Sequence, residues 1–173
     1  SHILDLARLG AGKEFVDPVS IRATGTRNPS GLYDAFLAFE FVDTYADGLQ
    51  FVGESKGPRG LRFEGAKGTL FIAVYGGTLE AEPKSLLETK IDGFDPAAEG
   101  LSHYRNFVDC VKSREKPRSD PESAHRTAIV CHLNNAAMTL GRELRWDEAT
   151  GRVSGDEEAN ALLTPKLREP WTV

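Results

Sequence analysis

The fold is decided by residues 34–82, which read DAFLAFEFVDTYADGLQFVGESKGPRGLRFEGAKGTLFIAVYGGTLEAE. Apolar and polar residues alternate through most of this stretch, and a period of two places the two classes on opposite faces of a β-strand. The apolar set includes Leu37, Phe39, Phe41, Leu49, Phe51, Leu61 and Phe63, and the polar set includes Glu40, Gln50, Glu54, Arg62 and Glu64. Glycines divide the stretch into short strands with no room for crossover helices, and Gly76-Gly77 suits a tight hairpin. The sequence therefore predicts a largely antiparallel sheet.

Helical patterns lie on both sides of this stretch. Apolar residues recur at helical spacing in residues 1–9, 101–114, 121–140 and 156–163. For the longest of them, Asp120 is a predicted N-cap, Pro121 suits the first helical position, and Gly141 ends the pattern. Further strands are predicted at 19–25 and 144–147. The order predicts an α+β domain: a largely antiparallel β-sheet with helices packed on one face and the other face available for oligomerisation.

Three apolar features carry separate expectations. Residues 69–75 are apolar on both faces, which indicates either a covered central strand or contact with a partner subunit. His132 falls in the apolar stripe of the helix at 121–140, so it is predicted to be a hydrogen-bonded core residue. Trp171, in the extended C-terminal tail, is expected to be buried.

Composition excludes several classes of protein. A chain of 173 residues is most simply one domain, here residues 1–173, large enough to bury about 70% of its unfolded surface. A net charge of −5 with no Lys/Arg cluster argues against nucleic-acid binding. No apolar run is long enough to cross a membrane. Cys110 and Cys131 lie in separate helical patterns, which indicates free thiols and a reducing, cytoplasmic compartment.

The N-terminal residues indicate a piece of a longer protein. The chain begins with SHILDLARLG, without an initiator Met or the features of a signal peptide. This segment is an amphipathic helical pattern with nothing before it to cap it. No Gly-rich nucleotide-binding loop is present, because Gly10-x-Gly12 follows a helix, with no strand before it.

Histidines are the main candidates for chemistry. The imidazole of His2 can take or give a proton near neutral pH, and Asp5 lies one helical turn away, where its carboxylate could orient the ring. His125 lies near the start of a helix, where a polar side chain could reach a cleft, whereas His103 is predicted to be structural or on the surface. His125 and His132 are seven residues apart with no carboxylate to complete a ligand set, so no metal site is predicted.

Several segments together resemble the Gfo/Idh/MocA oxidoreductase family, in its bacterial branch. The first seven residues, SHILDLA, resemble the family's linker helix. After the sheet come NFVDCV at 106–111, REKP at 114–117, AHR at 124–126, HLNNAA at 132–137, GR at 141–142 and LRWD at 144–147. DEEAN at 156–160 and REPW at 168–171 fit the same branch. No single motif is specific, but their order and spacing over nearly the whole chain are.

The resemblance implies half of a two-domain enzyme. Family members join an N-terminal Rossmann domain, which binds NAD or NADP, to a C-terminal α+β domain that shapes the substrate site and commonly forms oligomers through its sheet. This chain resembles the second domain, so the cofactor would be bound mainly by the absent domain and none is expected on this chain. His2 matches the family's active-site His, which moves a proton on a sugar or polyol hydroxyl. Asp5 and His125 are the predicted substrate-site residues beside it.

Two alternatives remain open at this stage. The chain could be a non-catalytic assembly or binding module that shares the fold, whereas an upstream strand followed by G-x-G-x-x-G would favour the enzyme. It could also be a free-standing α+β hydrolase or isomerase that uses His125 with an acid such as Asp147. That hypothesis requires the two side chains to share one cleft.

Overall fold

The computed structural model describes residues 1–74, 78–90, 103–164 and 166–171, and the predicted Gly76-Gly77 hairpin lies outside them. The helices are α1 (His2–Gly10), α2 (His103–Ser113), α3 (Pro121–Leu140) and α4 (Glu157–Leu163), with a 3₁₀ turn at Lys84–Glu88. The strands are β1 (Ser20–Arg27), β2 (Phe36–Thr44), β3 (Gln50–Glu54), β4 (Gly60–Gly65), β5 (Gly68–Ala73), β6 (Leu79–Glu82), β7 (Leu144–Asp147) and β8 (Arg152–Val153). The predicted α+β class is confirmed.

The strands form two antiparallel sheets rather than the single sheet predicted. One has the order β3-β2-β1-β7-β8 and the other the order β4-β5-β6. The continuous pattern at 34–82 breaks at residues 55–59, between β3 and β4. The alternation predicts which face each residue takes, but it does not predict that pairing stops at this turn. β7 then joins β1 from the far end of the chain, with Leu144 opposite Ile21.

One face of the five-stranded sheet is covered by α3. Ile21 and Ala23 of β1 are buried against Leu133 and Ala137 of the helix. The small alanine side chains let the helix lie close to the sheet, and Met138 comes so near that a side chain on Gly25 would strike its sulfur. α3 therefore packs on one face of the five-stranded sheet, as predicted from the order of the elements.

The ends of α3 follow the predicted local chemistry. The Oδ1 atom of Asp120 accepts a hydrogen bond from the Glu122 N–H at 3.0 Å, with Pro121 at the first helical position. Gly141 closes the helix in the left-handed conformation, with φ of 65°. Asp120 and Gly141 fix the two ends of α3, because each satisfies backbone groups of the first or last turn that have no partner within the helix.

Three predictions about burial are wrong or only partly right. His132 is exposed, because its position on α3 points away from the sheet. Trp171 is 66% exposed in the C-terminal tail. β5 is central in its sheet, but Leu70 and Phe71 are only half-buried, so the described residues do not cover the strand on both faces.

Asn160 of α4 is bonded to β8 through both of its amide atoms. Its Oδ1 accepts from the Val153 N–H at 2.8 Å, and its Nδ2 donates to the Val153 carbonyl at 2.9 Å. Asn160 and Val153 are both buried, so neither backbone group has access to water.

The Asn160→Ala substitution is expected to lower the free energy of unfolding by about 2–3 kcal/mol, because it leaves two buried backbone groups without partners. For a chain of this size the melting temperature should fall by about 5–10 °C. Urea unfolding and calorimetry measure both quantities, with the exposed Asn135→Ala as a control. A decrease in the free energy of unfolding below about 0.5 kcal/mol would show that the two Asn160–Val153 hydrogen bonds contribute little.

Candidate functional site

His2 lies on the first residue of α1, on the face of the helix that points away from the domain. The same face carries Leu6 and Leu9, four and seven residues later, and all three side chains are exposed. The Nδ1 atom of His2 lies 3.4 Å from the Ser1 hydroxyl oxygen. The imidazole is therefore open to whatever covers this face of the helix.

The opposite face of α1 is fastened to the domain. Ala7 and Arg8 are buried. Gly10 lies against the Phe63 ring of β4, and a side chain at this position would overlap the ring. Asp5 is exposed overall, but its Oδ1 accepts a hydrogen bond from the Thr127 hydroxyl of α3 at 2.9 Å. The described contact of the Asp5 carboxylate is thus with α3, although the sequence predicts that it supports His2.

Arg8 is fully buried at the C-terminal end of α1. Its Nη2 donates to the Glu14 carbonyl at 2.9 Å and lies 3.6 Å from Oδ1 of Asp17. Its Nε and Nη1 have no hydrogen-bond partner among the described residues. The Arg8 guanidinium is fully buried and makes few hydrogen bonds, so the cost of removing its charge from water must be offset by the neighbouring Asp17 carboxylate.

Asp17 connects this arginine to two other elements. Its Oδ2 accepts from the Trp146 indole N–H of β7 at 3.1 Å and lies 3.5 Å from Nη1 of Arg126 on α3. The Asp17 N–H donates to Oε2 of Glu148 at 3.2 Å, and Arg126 donates to the other Glu148 oxygen at 2.6 Å. Asp17 is therefore the point at which α1, α3 and the end of β7 meet.

A second buried carboxyl lies on β2. Asp43 faces α3, where the Asn134 side-chain amide donates to both of its oxygens at 3.0 and 2.9 Å. Burial raises the pKa of Asp43 to about 7, against the opposing effects of the Asn134 hydrogen bond and the Arg8 charge. Burial likewise raises the pKa of Tyr45, just past the end of β2, to about 12.

The other predicted residues are not brought together by any described contact. His125 is exposed on the second turn of α3, and His103 is exposed at the start of α2. The Asp147 carboxylate accepts from the Ala149 N–H and the Thr150 hydroxyl, which form its own turn and hold its pKa below the usual range. No specific contact favours the hypothesis of a hydrolase built on His125 and Asp147.

Arg8, Asp17 and Asp43 were missed as special residues by the sequence reasoning. Asp43 had a readable signal, because it continues the inward-facing positions of Phe39 and Phe41. A carboxylate at a core-facing strand position needs a hydrogen-bond donor or a cation beside it, because burial of an unpaired charge is unfavourable. Arg8 and Asp17 had no comparable signal, since their pairing depends on how α1 folds back on the domain.

Apolar side chains are exposed on two helices and on one sheet face. On α1 they are Ile3, Leu6 and Leu9, and on α2, which buries none of its residues, they are Tyr104, Phe107, Val108 and Val111. The uncovered face of the five-stranded sheet carries Val52, which is 73% exposed, beside a groove of about 290 Å³ bordered by Arg22 and Glu54.

Both cysteines are free, as predicted. Across the described ranges, no three His, Cys, Asp or Glu side chains are grouped so that they could hold a metal ion. No helix in the described part of the chain has the length and apolar content that crossing a bilayer requires.

Comparison with known proteins identifies a family and a fold. A family model described as "Oxidoreductase family, C-terminal alpha/beta domain" matches residues 1–173. Among solved structures, the WlbA dehydrogenase from Bordetella pertussis, in complex with NADH and UDP-GlcNAcA, has 14% identity and a TM-score of 0.60 over 84% of this chain. The aldose-aldose oxidoreductase from Caulobacter crescentus, complexed with glycerol, has 16% identity and a TM-score of 0.56 over 84% of this chain.

An NAD-binding protein from Listeria innocua also matches, with 15% identity and a TM-score of 0.53 over 84% of this chain. The matches cover 44%, 45% and 49% of these three structures, so this chain corresponds to less than half of each. At such identities the likeness shows the fold. No curated protein sequence matches the chain.

Proposed function

The chain belongs to the Gfo/Idh/MocA oxidoreductase family as its C-terminal α/β domain, and we propose that it binds the substrate and forms oligomers in an NAD(P)-dependent oxidoreductase. The substrate class is a sugar or polyol with a reacting hydroxyl. The observation that carries the proposal is the position of His2, which is exposed on the outer face of a helix whose inner face is fastened to the domain. A fixed helix with an open imidazole suits proton transfer at a junction between two domains.

The chemistry divides between two partners. Oxidation of a secondary alcohol needs a base about 3 Å from the hydroxyl oxygen, and a nicotinamide supplies the hydride acceptor when it is bound. His2 is the proposed base, and it returns the proton in the reverse direction. The described residues of this chain do not fit a dinucleotide, because Gly10-x-Gly12 follows α1 and does not connect a strand to a helix. The nicotinamide would be held by a separate Rossmann domain.

The exposed apolar residues of α1 and α2 support docking of that domain. Tyr104 is 87% exposed and Phe107 is 62% exposed, and both lie on a helix with no buried residue. Exposed aromatic and aliphatic side chains on adjacent turns mark surfaces that become covered on association. His2 and Leu6 are exposed on α1, and a domain that covers this face of α1 would close over the imidazole.

The uncovered face of the five-stranded sheet supports assembly between copies of the chain. Val42 and Val52 occupy this face, with charged residues such as Arg22 and Glu54 around them. An apolar centre with a charged border is the usual composition of a subunit interface. We propose that this face forms a homo-oligomer, and that His125 reaches the substrate cleft from the N-terminal part of α3. A non-catalytic assembly module that shares the fold remains the competing proposal.

Titration calorimetry should detect no binding of NAD(H) or NADP(H) to this chain alone, because none of the described residues forms a glycine-rich loop between a strand and a helix that could hold the phosphates. The same chain joined to an upstream nucleotide-binding domain should bind one of the two cofactors and oxidise a sugar or polyol. Absorbance at 340 nm follows the turnover. Cofactor binding by the isolated chain would contradict the proposal that a separate domain binds the nicotinamide cofactor. A joined protein that binds cofactor but oxidises no polyol or sugar would favour the assembly module.

A further inference from the structure

The position of His2 depends on α1, since the imidazole has little contact of its own. The helix is held by two polar anchors. One is the hydrogen bond from Thr127 to Asp5, and the other is the buried Arg8 with Asp17. Asp5 lies three residues after His2, at the edge of the exposed face, and reaches α3 through Thr127, whereas Arg8 lies six residues after His2 and is fully buried.

Arg8 and Asp17 are the deeper of the two anchors. Both side chains are almost completely buried, with relative exposures of 0% and 2%. Asp17 is itself fixed by the Trp146 indole and lies beside Arg126. The pair therefore holds the C-terminal end of α1 against both β7 and α3, which are buried elements of the domain.

Stability alone gives little reason for such a pair. A buried ion pair can often be replaced by apolar residues of similar volume without loss of stability, whereas removal of one partner is strongly destabilising. What the charged pair adds is a fixed position, because Nη2 of Arg8 donates to the Glu14 carbonyl at 2.9 Å while the Asp17 carboxylate lies 3.6 Å away and compensates the buried charge. The feature with the greatest need of a defined geometry on this helix is the imidazole at its other end.

The distance along the helix makes His2 sensitive to this anchor. Six residues separate His2 from Arg8, which is about 9 Å of α-helix. A tilt of about 10° at the anchor moves the imidazole by about 1.5 Å, and a displacement of about 1 Å at a reacting group can cost 100-fold in rate.

We propose that the Arg8–Asp17 pair is a positioning element, which sets the place of the His2 imidazole through helix α1. The proposal rests on the proposed function of His2 in proton transfer. Arg8 and Asp17 touch neither substrate nor cofactor in this role, and the Thr127–Asp5 hydrogen bond fixes the rotation of the same helix.

The test is the double variant Arg8→Met/Asp17→Leu in the two-domain enzyme. It replaces both charges of the pair by apolar side chains, and Arg126 keeps the Glu148 carboxylate, but the buried Trp146 indole N–H loses its acceptor. The melting temperature should therefore fall by about 2–10 °C, with the protein still folded at the assay temperature. The control is Arg152→Met/Glu157→Gln, which removes an exposed ion pair with a 2.8 Å contact between β8 and α4.

The double variant should lose 10- to 100-fold in kcat, while KM for the nicotinamide cofactor changes by less than about twofold. The pH dependence of kcat/KM should keep the limb that disappears in His2→Asn, because the same base still acts from a poorer position. The control should retain kcat within about twofold. Arg8→Lys, which keeps the charge but loses the guanidinium that donates to the Glu14 carbonyl, should fall between them.

A folded double variant with kcat within twofold of the starting enzyme would overturn the proposal. Hydrogen exchange separates this failure from a failure of the proposed function. Amides of residues 6–10 should exchange at least tenfold faster in the double variant, whether or not His2 is a base. Unchanged exchange would reject the anchor by itself, whereas faster exchange together with an active His2→Asn enzyme would reject the role of His2 and, with it, the positioning role.

Discussion

The His2→Asn enzyme, with its nucleotide-binding domain joined, should lose 10²- to 10⁴-fold in kcat while its KM for the nicotinamide cofactor stays nearly constant. The reason is that a positioned acid or base contributes about this factor to a proton transfer, and the amide of Asn can do neither. The exposed position of His2 means that the change removes almost no packing. Initial rates against pH, with both substrates varied, measure the effect.

The matched control for this experiment is His132→Asn. His132 is also exposed, lies in the middle of α3, and has no part in the proposed site. Its substitution should leave kcat within about twofold. If His2→Asn also kept kcat within about twofold, His2 would not be the base. The hypothesis of a non-catalytic assembly module would then be preferred.

The Asp43→Asn substitution should raise the free energy of unfolding at pH 8 by roughly 2–4 kcal/mol and leave it nearly unchanged at pH 4. Burial raises the pKa of Asp43 from 3.8 to about 7, so between these values the folded protein holds a proton that the unfolded chain has released. Stability from this group is therefore lost as the pH rises from about 4 to about 7, and it stays lost above pH 7. Asparagine cannot ionise, so the loss should disappear.

The Asn134 side chain also carries an acceptor that a neutral group at position 43 could use. The Oδ1 atom of Asn134 is buried without a hydrogen-bond partner among the described residues. A protonated carboxyl or an asparagine amide at position 43 could donate to it, while the carbonyl oxygen still accepts from the Asn134 Nδ2. Removing the charge should therefore leave the contact between β2 and α3 in place.

Urea unfolding at pH 4, 6 and 8 tests this prediction. The control is Asp109→Asn, which removes an exposed carboxylate paired with Arg105 at 3.1 Å and should change stability by less than about 0.5 kcal/mol at each pH. An Asp43→Asn protein that is less stable by the same amount at every pH would mean that the ionised carboxylate is needed, with the Arg8 charge as its partner.

The sequence resemblance found the family because it used the order of motifs along nearly the whole chain. The match of the family model over residues 1–173 confirms it. The resemblance also selected His2, but it could not predict that the Asp5 carboxylate bonds to Thr127, which lies 122 residues later. Helical spacing places Asp5 one turn from His2, and the distant α3 supplies the competing partner.

The sequence by itself determined those features that depend on residues close together in the chain. The period of two placed Phe41 and Phe51 on one face and Glu40 and Gln50 on the other, as the burial of β2 and β3 shows. Asp120 and Gly141 ended α3 where their local hydrogen bonds and dihedral angles require. These features follow from residues within a turn or a strand of each other, so no knowledge of the fold was needed.

Only the tertiary structure decided how the elements meet. It separated the strands into two sheets, placed β7 beside β1, and exposed His132 on a helix whose buried side the sequence pattern assigned too broadly. It also buried Arg8 beside Asp17 and turned Asp43 into an acid with a pKa of about 7. The physical reason is the same in each case: burial and pairing depend on groups far apart in the chain, which approach only after the sheet and α3 have packed.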